Sequence, residues 1–203
     1  MKRNFSGMTL KDALLLLGQG VLLSWDLPAA PRPPSDALQT HLRRLEAFDT
    51  QTTEQAKTLL IDALFAETVS QHPNLKVWKA AVLNTDTLTG VADYLIAPRL
   101  AYLTTPLLCA VEAKRDDFER GRAQCLAEMV ACRDNNRQAG HDLDAVFGIV
   151  SNGQVWQFYK LVQTGEVYET DLLALSDLPR LLGALDYLCA ECARRVPGTP
   201  GLS

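Results

Sequence analysis

"LLCAVEAKRDDFERGRAQ", residues 107–124, opens as an unbroken apolar run and then turns abruptly charged. A short apolar run of this kind reads as a strand buried on both faces, central in a sheet. In a strand, side chains two apart share a face, so Glu112 and Lys114 project together while Ala113 faces the other way. The charged turn leads into "DFERGRAQCLAEMVACRDNN", where the period becomes helical and Cys125, Met129 and Cys132 share the apolar side. A buried strand running into a helix is the unit around which the rest of the chain can be arranged.

Upstream, "LKVWKAAVLNTD" and "TGVADYLIAP" are β-like and separated by a polar turn. Before them, "TTEQAKTLLIDALFAETV" predicts an amphipathic helix with Leu59, Leu60, Ala63 and Leu64 on its apolar face, and Thr52 with Gln55 as its capping box. Downstream, "AVFGIVSNGQVWQFYKLVQTGEVYET" predicts two strands joined at "SNG" and a shorter third, with Trp156 and Phe158 on a packed sheet face. A last helix spans roughly residues 177–195. The order is helix, three strands, helix, further strands and a C-terminal helix, which is α/β: a mixed sheet flanked by helices.

The N-terminal "MKRNFSGMTLKDALLLLGQGVLLSW" predicts a helix starting at Thr9, capped with the help of Asp12. "DLPAAPRPPSD", residues 26–36, is too rich in proline for helix and reads as a stiff connector. A helix restarts at Ser35 with Leu38, Leu42 and Leu45 on one face. The expected organisation is an N-terminal helix and connector over 1–34, a main domain over 35–196 and a tail over 197–203.

The chain has 203 residues, 47% hydrophobic and 22% charged, with a net charge of −4. It can bury a core without disulfides, and it is not the basic chain expected of a dedicated non-specific nucleic-acid binder. No stretch approaches the ~20 apolar residues of a membrane span, so no membrane partner and a cytoplasmic location are expected. The five cysteines read as buried free thiols in a reducing compartment. "CAEC", with Cys189 and Cys192, has no second ligand pair at zinc spacing and reads as part of a helix.

Asp93 closes "GVAD" in the strand before Glu112. If the two strands form an antiparallel hairpin, the midpoint between Asp93 and Glu112 falls at Tyr102 and Leu103, inside the loop from Pro98 to Pro106. That register would set the carboxylates roughly 5 Å apart on neighbouring strands, and a slip of one residue would put them on opposite faces. Two adjacent carboxylates need a compensating cation. Mg²⁺ or Mn²⁺ suits oxygen ligands without His or Cys, with the backbone carbonyl of Ala113 as a third oxygen. Lys114 would add a fixed positive charge for a water or a phosphate oxygen.

A Glu-x-Lys triplet alone carries little information. Together, "GVADYL … LLCAVEAKRD … GRAQCLAEM" resembles the PD-(D/E)xK nuclease superfamily, with its restriction-endonuclease-like fold. From Thr52 to Leu161 the chain is most similar to the N-terminal nuclease domain of type I restriction enzyme R subunits and related stand-alone proteins. The resemblance implies a metal-dependent nuclease acting on DNA. It implies that Asp93, Glu112 and Lys114 are catalytic, with Gln124 of the following helix and an early-helix acid, Glu54 or alternatively Glu67. The pattern's proline before the aspartate is Ala92 here. No helicase or translocase motor follows, so restriction would need other subunits. Three readings stay open: a nuclease, a nuclease-like fold that binds nucleic acid or assembles with a protein partner or a second copy without cutting, and a small-molecule hydrolase. Arg115, Arg120 and Arg122 lie among Asp116, Asp117 and Glu119, and the stretch reads as a solvated turn before it reads as a phosphate contact.

Overall fold

The computed structural model describes residues 2–18, 20–49, 54–114 and 118–198, and for residues 54–57 the backbone alone. The helices are α1 (Leu10–Leu17), α2 (Asp36–Leu45), α3 (Glu54–Val69), α4 (Phe118–Gln138) and α5 (Leu178–Arg194). The strands are β1 (Arg3–Asn4), β2 (Leu23–Ser24), β3 (Leu75–Asn84), β4 (Leu88–Pro98), β5 (Cys109–Ala113), β6 (Ala145–Ser151), β7 (Val155–Val162), β8 (Val167–Glu169) and β9 (Leu173–Ala174). Among the described residues they form one nine-stranded mixed sheet in the order β1-β4-β5-β6-β7-β8-β2, with β3 also pairing β4 and β9 pairing β7. The chain is α/β, as its period changes suggested. No described helix is long and apolar enough to cross a membrane.

β5 and β6 are parallel, whereas β4/β5, β6/β7 and β7/β8 are antiparallel. A parallel pair needs a crossover, and α4 supplies it. β6 shows why both faces are covered: Phe147 and Ile149 enter one core layer with Leu64 and Phe65 of α3 and Leu185 of α5. Val146 and Val150 enter the other, with Cys125, Leu126 and Met129 of α4 and Ala13 and Leu17 of α1. Trp156 and Phe158 are fully buried in the first layer, the packed sheet face expected of them. All five cysteines are free and buried, and burial holds the thiols of Cys109, Cys125, Cys132, Cys189 and Cys192 above the usual range.

β5 is shorter than the apolar run that encodes it. The preceding Leu107 is held by a side chain instead of a strand: its N–H donates to Asn136 Oδ1 at 2.7 Å and its carbonyl accepts from Asn136 Nδ2 at 2.8 Å. A fully buried asparagine amide thus stands in for a ladder partner.

Residues 1–34 contain more than a helix and a connector. β1 adds parallel to β4, β2 adds parallel to β8, and Trp25 joins the core. Thr9 and Asp12 form the expected capping box on α1, and Ser35 caps α2 through its bond from Leu38 N. The capping box expected at Thr52 and Gln55 lies outside the described residues. The proline-rich connector runs against α5, where Arg32 N donates to the Pro179 carbonyl at 2.8 Å. Gly183 makes the approach possible, because an added Cβ would sit 2.1 Å from the carbonyl oxygen of Ala30. Gly183→Ala should therefore cost about 2 kcal/mol, against the ~1 kcal/mol gain expected in an open helix. Urea unfolding reads the difference, and an unchanged or raised midpoint would contradict this packing.

Candidate active site

The β4/β5 ladder pairs Tyr94 with Val111, Leu95 with Ala110 and Ile96 with Cys109. The ladder ends at Tyr94 and Val111; continued by one step it would set Asp93 opposite Glu112, the alignment expected from the loop midpoint. Ala113 N donates to Asp93 Oδ2 at 2.8 Å, so the aspartate is tied to β5 by the residue after the glutamate. This contact uses the Ala113 amide, not its carbonyl.

Asp93 also sits at an irregularity. Leu88 and Ala92 face the same layer as Leu95 and Ala97, so the strand's alternation slips by one residue between Ala92 and Leu95. The partner strand is irregular at the same level: Ala80, between the pairs Lys79–Tyr94 and Ala81–Ala92, has φ 51°. One residue intervenes on each strand, Ala80 and Asp93, so the register is kept while the alternation of faces slips at this level.

Glu112 is fully buried. Its Oε1 lies 2.6 Å from Lys114 Nζ, and its Oε2 accepts from Gln124 Nε2 at 2.8 Å. Lys114 follows the end of β5, but its N–H donates to the Ser151 carbonyl at 2.9 Å and extends the alignment with β6. Its side chain keeps 21% exposure, so the site reaches solvent at the lysine. Burial, and next the charge of Asp93, push the Glu112 carboxyl up to about 7 against the pull of Lys114.

Two residues of the site went unread in the sequence. Gly121, in the first turns of α4, faces Lys114: an added Cβ would lie 2.8 Å from Lys114 Cγ and 3.0 Å from Val150 Cγ1. A glycine inside a helix is unfavourable, and that cost was the available signal. Glu128, one turn after Gln124, is fully buried, and its Oε1 accepts from Gln124 Nε2 at 3.0 Å. Burial, then the charge of Glu112, raise its carboxyl well above the usual range. A glutamate among Leu126, Ala127, Met129 and Val130 was its signal.

The remaining expected residues are distributed as follows. Glu54 is the first residue of α3, and its side chain lies outside the described residues. Glu67 is used elsewhere: it accepts from Ser35 N at 3.1 Å and Ser35 Oγ at 2.8 Å, at the start of α2. Arg120 donates to the Ser6 carbonyl and Arg122 pairs with Glu169 at 3.3 Å. Arg115, Asp116 and Asp117 lie outside the described residues.

Among the described residues, no group of three or more His, Cys, Asp or Glu side chains is arranged to hold a metal ion. A cation here would rest on Asp93 and Glu112, with further oxygens from backbone or water. That set suits Mg²⁺, which keeps several waters and takes one or two carboxylates. The fit is chemical: a carboxyl raised first by burial and then by a second acid is a position that a cation would relieve. No protein-family model matches the chain, and no curated protein matches it.

Proposed function

We propose that this chain is a Mg²⁺- or Mn²⁺-dependent nuclease of the PD-(D/E)xK type, with a restriction-endonuclease-like core formed by α3, β3, β4, β5, α4 and β6. The observation that carries the reading is the Asp93 carboxylate held on the Ala113 amide at 2.8 Å, next to Glu112, with Lys114 Nζ 2.6 Å from the glutamate. The succession helix, three strands, helix, strand supports it.

A bound divalent cation would supply charge neutralisation at a phosphodiester and a lowered pKa for water. Asp93 and Glu112 provide the negative charge that would hold it. Glu112 must give up its proton to do so, and Gln124 donates to the oxygen turned away from Lys114. Lys114 brings positive charge to the solvent edge of the site, where it can steady an attacking water or a phosphate oxygen. Hydrolysis adds that water's oxygen to phosphorus, breaks one P–O ester bond and leaves the departing oxygen protonated. Glu54, at the start of α3, is the early-helix acid of this reading. DNA is the proposed substrate. The direct test is conversion of supercoiled plasmid to nicked or linear forms with Mg²⁺ or Mn²⁺, blocked by a chelator.

A second reading is a nuclease-like fold that binds or assembles without cutting. The full burial of Glu112 favours it, because that carboxylate must be reached by a cation from the Lys114 side. Plasmid left intact with either metal would favour this reading.

Gly121 provides a test directed mainly at the lysine, with Val150 as the second neighbour. Gly121→Ala should push Lys114 out of line and cut cleavage by about a hundredfold, while its helix propensity offsets part of the packing cost. Cleavage at the wild-type rate would show that Lys114 does not need the space.

A further inference from the structure

Glu128 is a carboxyl within an otherwise apolar stretch of α4. Cys125, Leu126, Met129 and Cys132 around it on α4 are fully buried, as it is. Its Oε2 and Gln124 Oε1 are buried and receive no hydrogen bond from a donor group among the described residues, and its carboxyl also interacts directly with that of Glu112. A half-satisfied buried carboxyl is unfavourable, so packing alone does not account for this glutamate.

Its hydrogen bond from Gln124 suggests what does. Gln124 Nε2 carries two hydrogens: one is aimed at Glu112 Oε2, at 2.8 Å, and the other at Glu128 Oε1, at 3.0 Å. An amide held by a single hydrogen can turn about its last bond and present its oxygen instead, and that oxygen would repel the Glu112 carboxylate. An amide held by both hydrogens cannot turn without losing two bonds. The spacing of four residues on α4 puts Gln124 and Glu128 one above the other, so the lock is built into one helix.

We propose that Glu128 is a positioning residue: by accepting the second N–H of Gln124 it locks the amide with its donor edge on Glu112, and so fixes the carboxylate that meets Lys114. The inference deepens the cation-dependent reading of the site and rests on it for its functional consequence. The locked amide itself is independent of any metal.

The test compares wild type with Glu128→Gln and Glu128→Met. Glutamine keeps an acceptor of the same length, whereas methionine fills the space without one. In metal-free protein, the Gln124 side-chain amide protons are followed by ¹⁵N–¹H NMR and assigned by their loss in Gln124→Met. Both protons should exchange slowly in wild type and in Glu128→Gln, and at least one should exchange fast in Glu128→Met. The urea midpoint of Glu128→Met should be equal to or above that of wild type, which a packing role would not give. Calorimetric Mn²⁺ affinity should fall about tenfold in Glu128→Met alone. Unchanged amide exchange in Glu128→Met, or equal loss of protection in both variants, would overturn the proposal. If wild type takes up no Mn²⁺, the cation reading fails while the amide comparison still decides the role of Glu128.

Discussion

Glu112→Ala and Lys114→Ala should each lower metal-dependent plasmid cleavage by at least about a thousandfold, the scale seen when one preorganised electrostatic group is removed. The two losses have different origins. Without Glu112 the site keeps Asp93 but loses the buried carboxylate opposite it, and cation affinity falls. Without Lys114 the cation can still bind, and the loss should lie in the rate at saturating metal. Neither substitution should unfold the protein: Glu112 is a buried acid whose ionisation the fold disfavours, and Lys114 is partly exposed. Glu67→Ala is the contrasting variant. Its carboxylate holds Ser35 at the start of α2, so it should cost about 1 kcal/mol of stability and leave cleavage unchanged. Equal cleavage by wild type and Glu112→Ala would remove the acid pair from the mechanism.

Stability without metal should fall as pH rises from about 4.5 to 7. The Glu112 carboxyl is held near 7 in the folded chain against its ordinary 4.5, so the native state binds the proton more tightly than the unfolded state across that interval. Stability is therefore fully present below the ordinary value and is lost as pH rises through the folded one. For Glu112 alone the change is about 3 kcal/mol. Glu128 shifts in the same direction and extends the decline. Asp144 and Glu191, lowered by Arg195 and Arg194 against their own burial, act in the opposite sense. Their stabilisation is lost as pH falls below the ordinary carboxylate range, so it does not cancel the slope above 4.5. Urea unfolding at pH 5 and pH 8 reads the difference, Glu112→Gln should flatten it, and saturating Mn²⁺ should restore stability mainly at pH 8. Stability that rises from pH 5 to pH 8 would contradict the assigned environment of Glu112.

The parts legible in the sequence are those written in local pattern. The apolar run before Glu112 marked a central strand, the "SNG" turn marked the β6/β7 hairpin, and the loop between Pro98 and Pro106 was short enough to give the register of Asp93. Gln124 could be tied to the site through the resemblance, and the structure puts its amide on Glu112. What could not be read depends on contacts between distant segments. β1 and β2 have two residues each, too few to show a period. Ala80 carries no sign of the left-handed backbone opposite Asp93, because alanine has no turn preference. Glu128 has the look of a solvated helix position until the sheet is laid over α4. Gly121 stands seven residues after Lys114 in the chain and against its side chain in the fold.

The central claim is that Asp93 and Glu112 together form a divalent-cation site, and calorimetric titration of the metal-free protein with Mn²⁺ at pH 8 tests it most directly. Wild type should bind the ion with a measurable heat, and both Asp93→Asn and Glu112→Gln should lose that binding while remaining folded. Wild type that takes up no Mn²⁺, or binds it equally well after either substitution, would contradict the account.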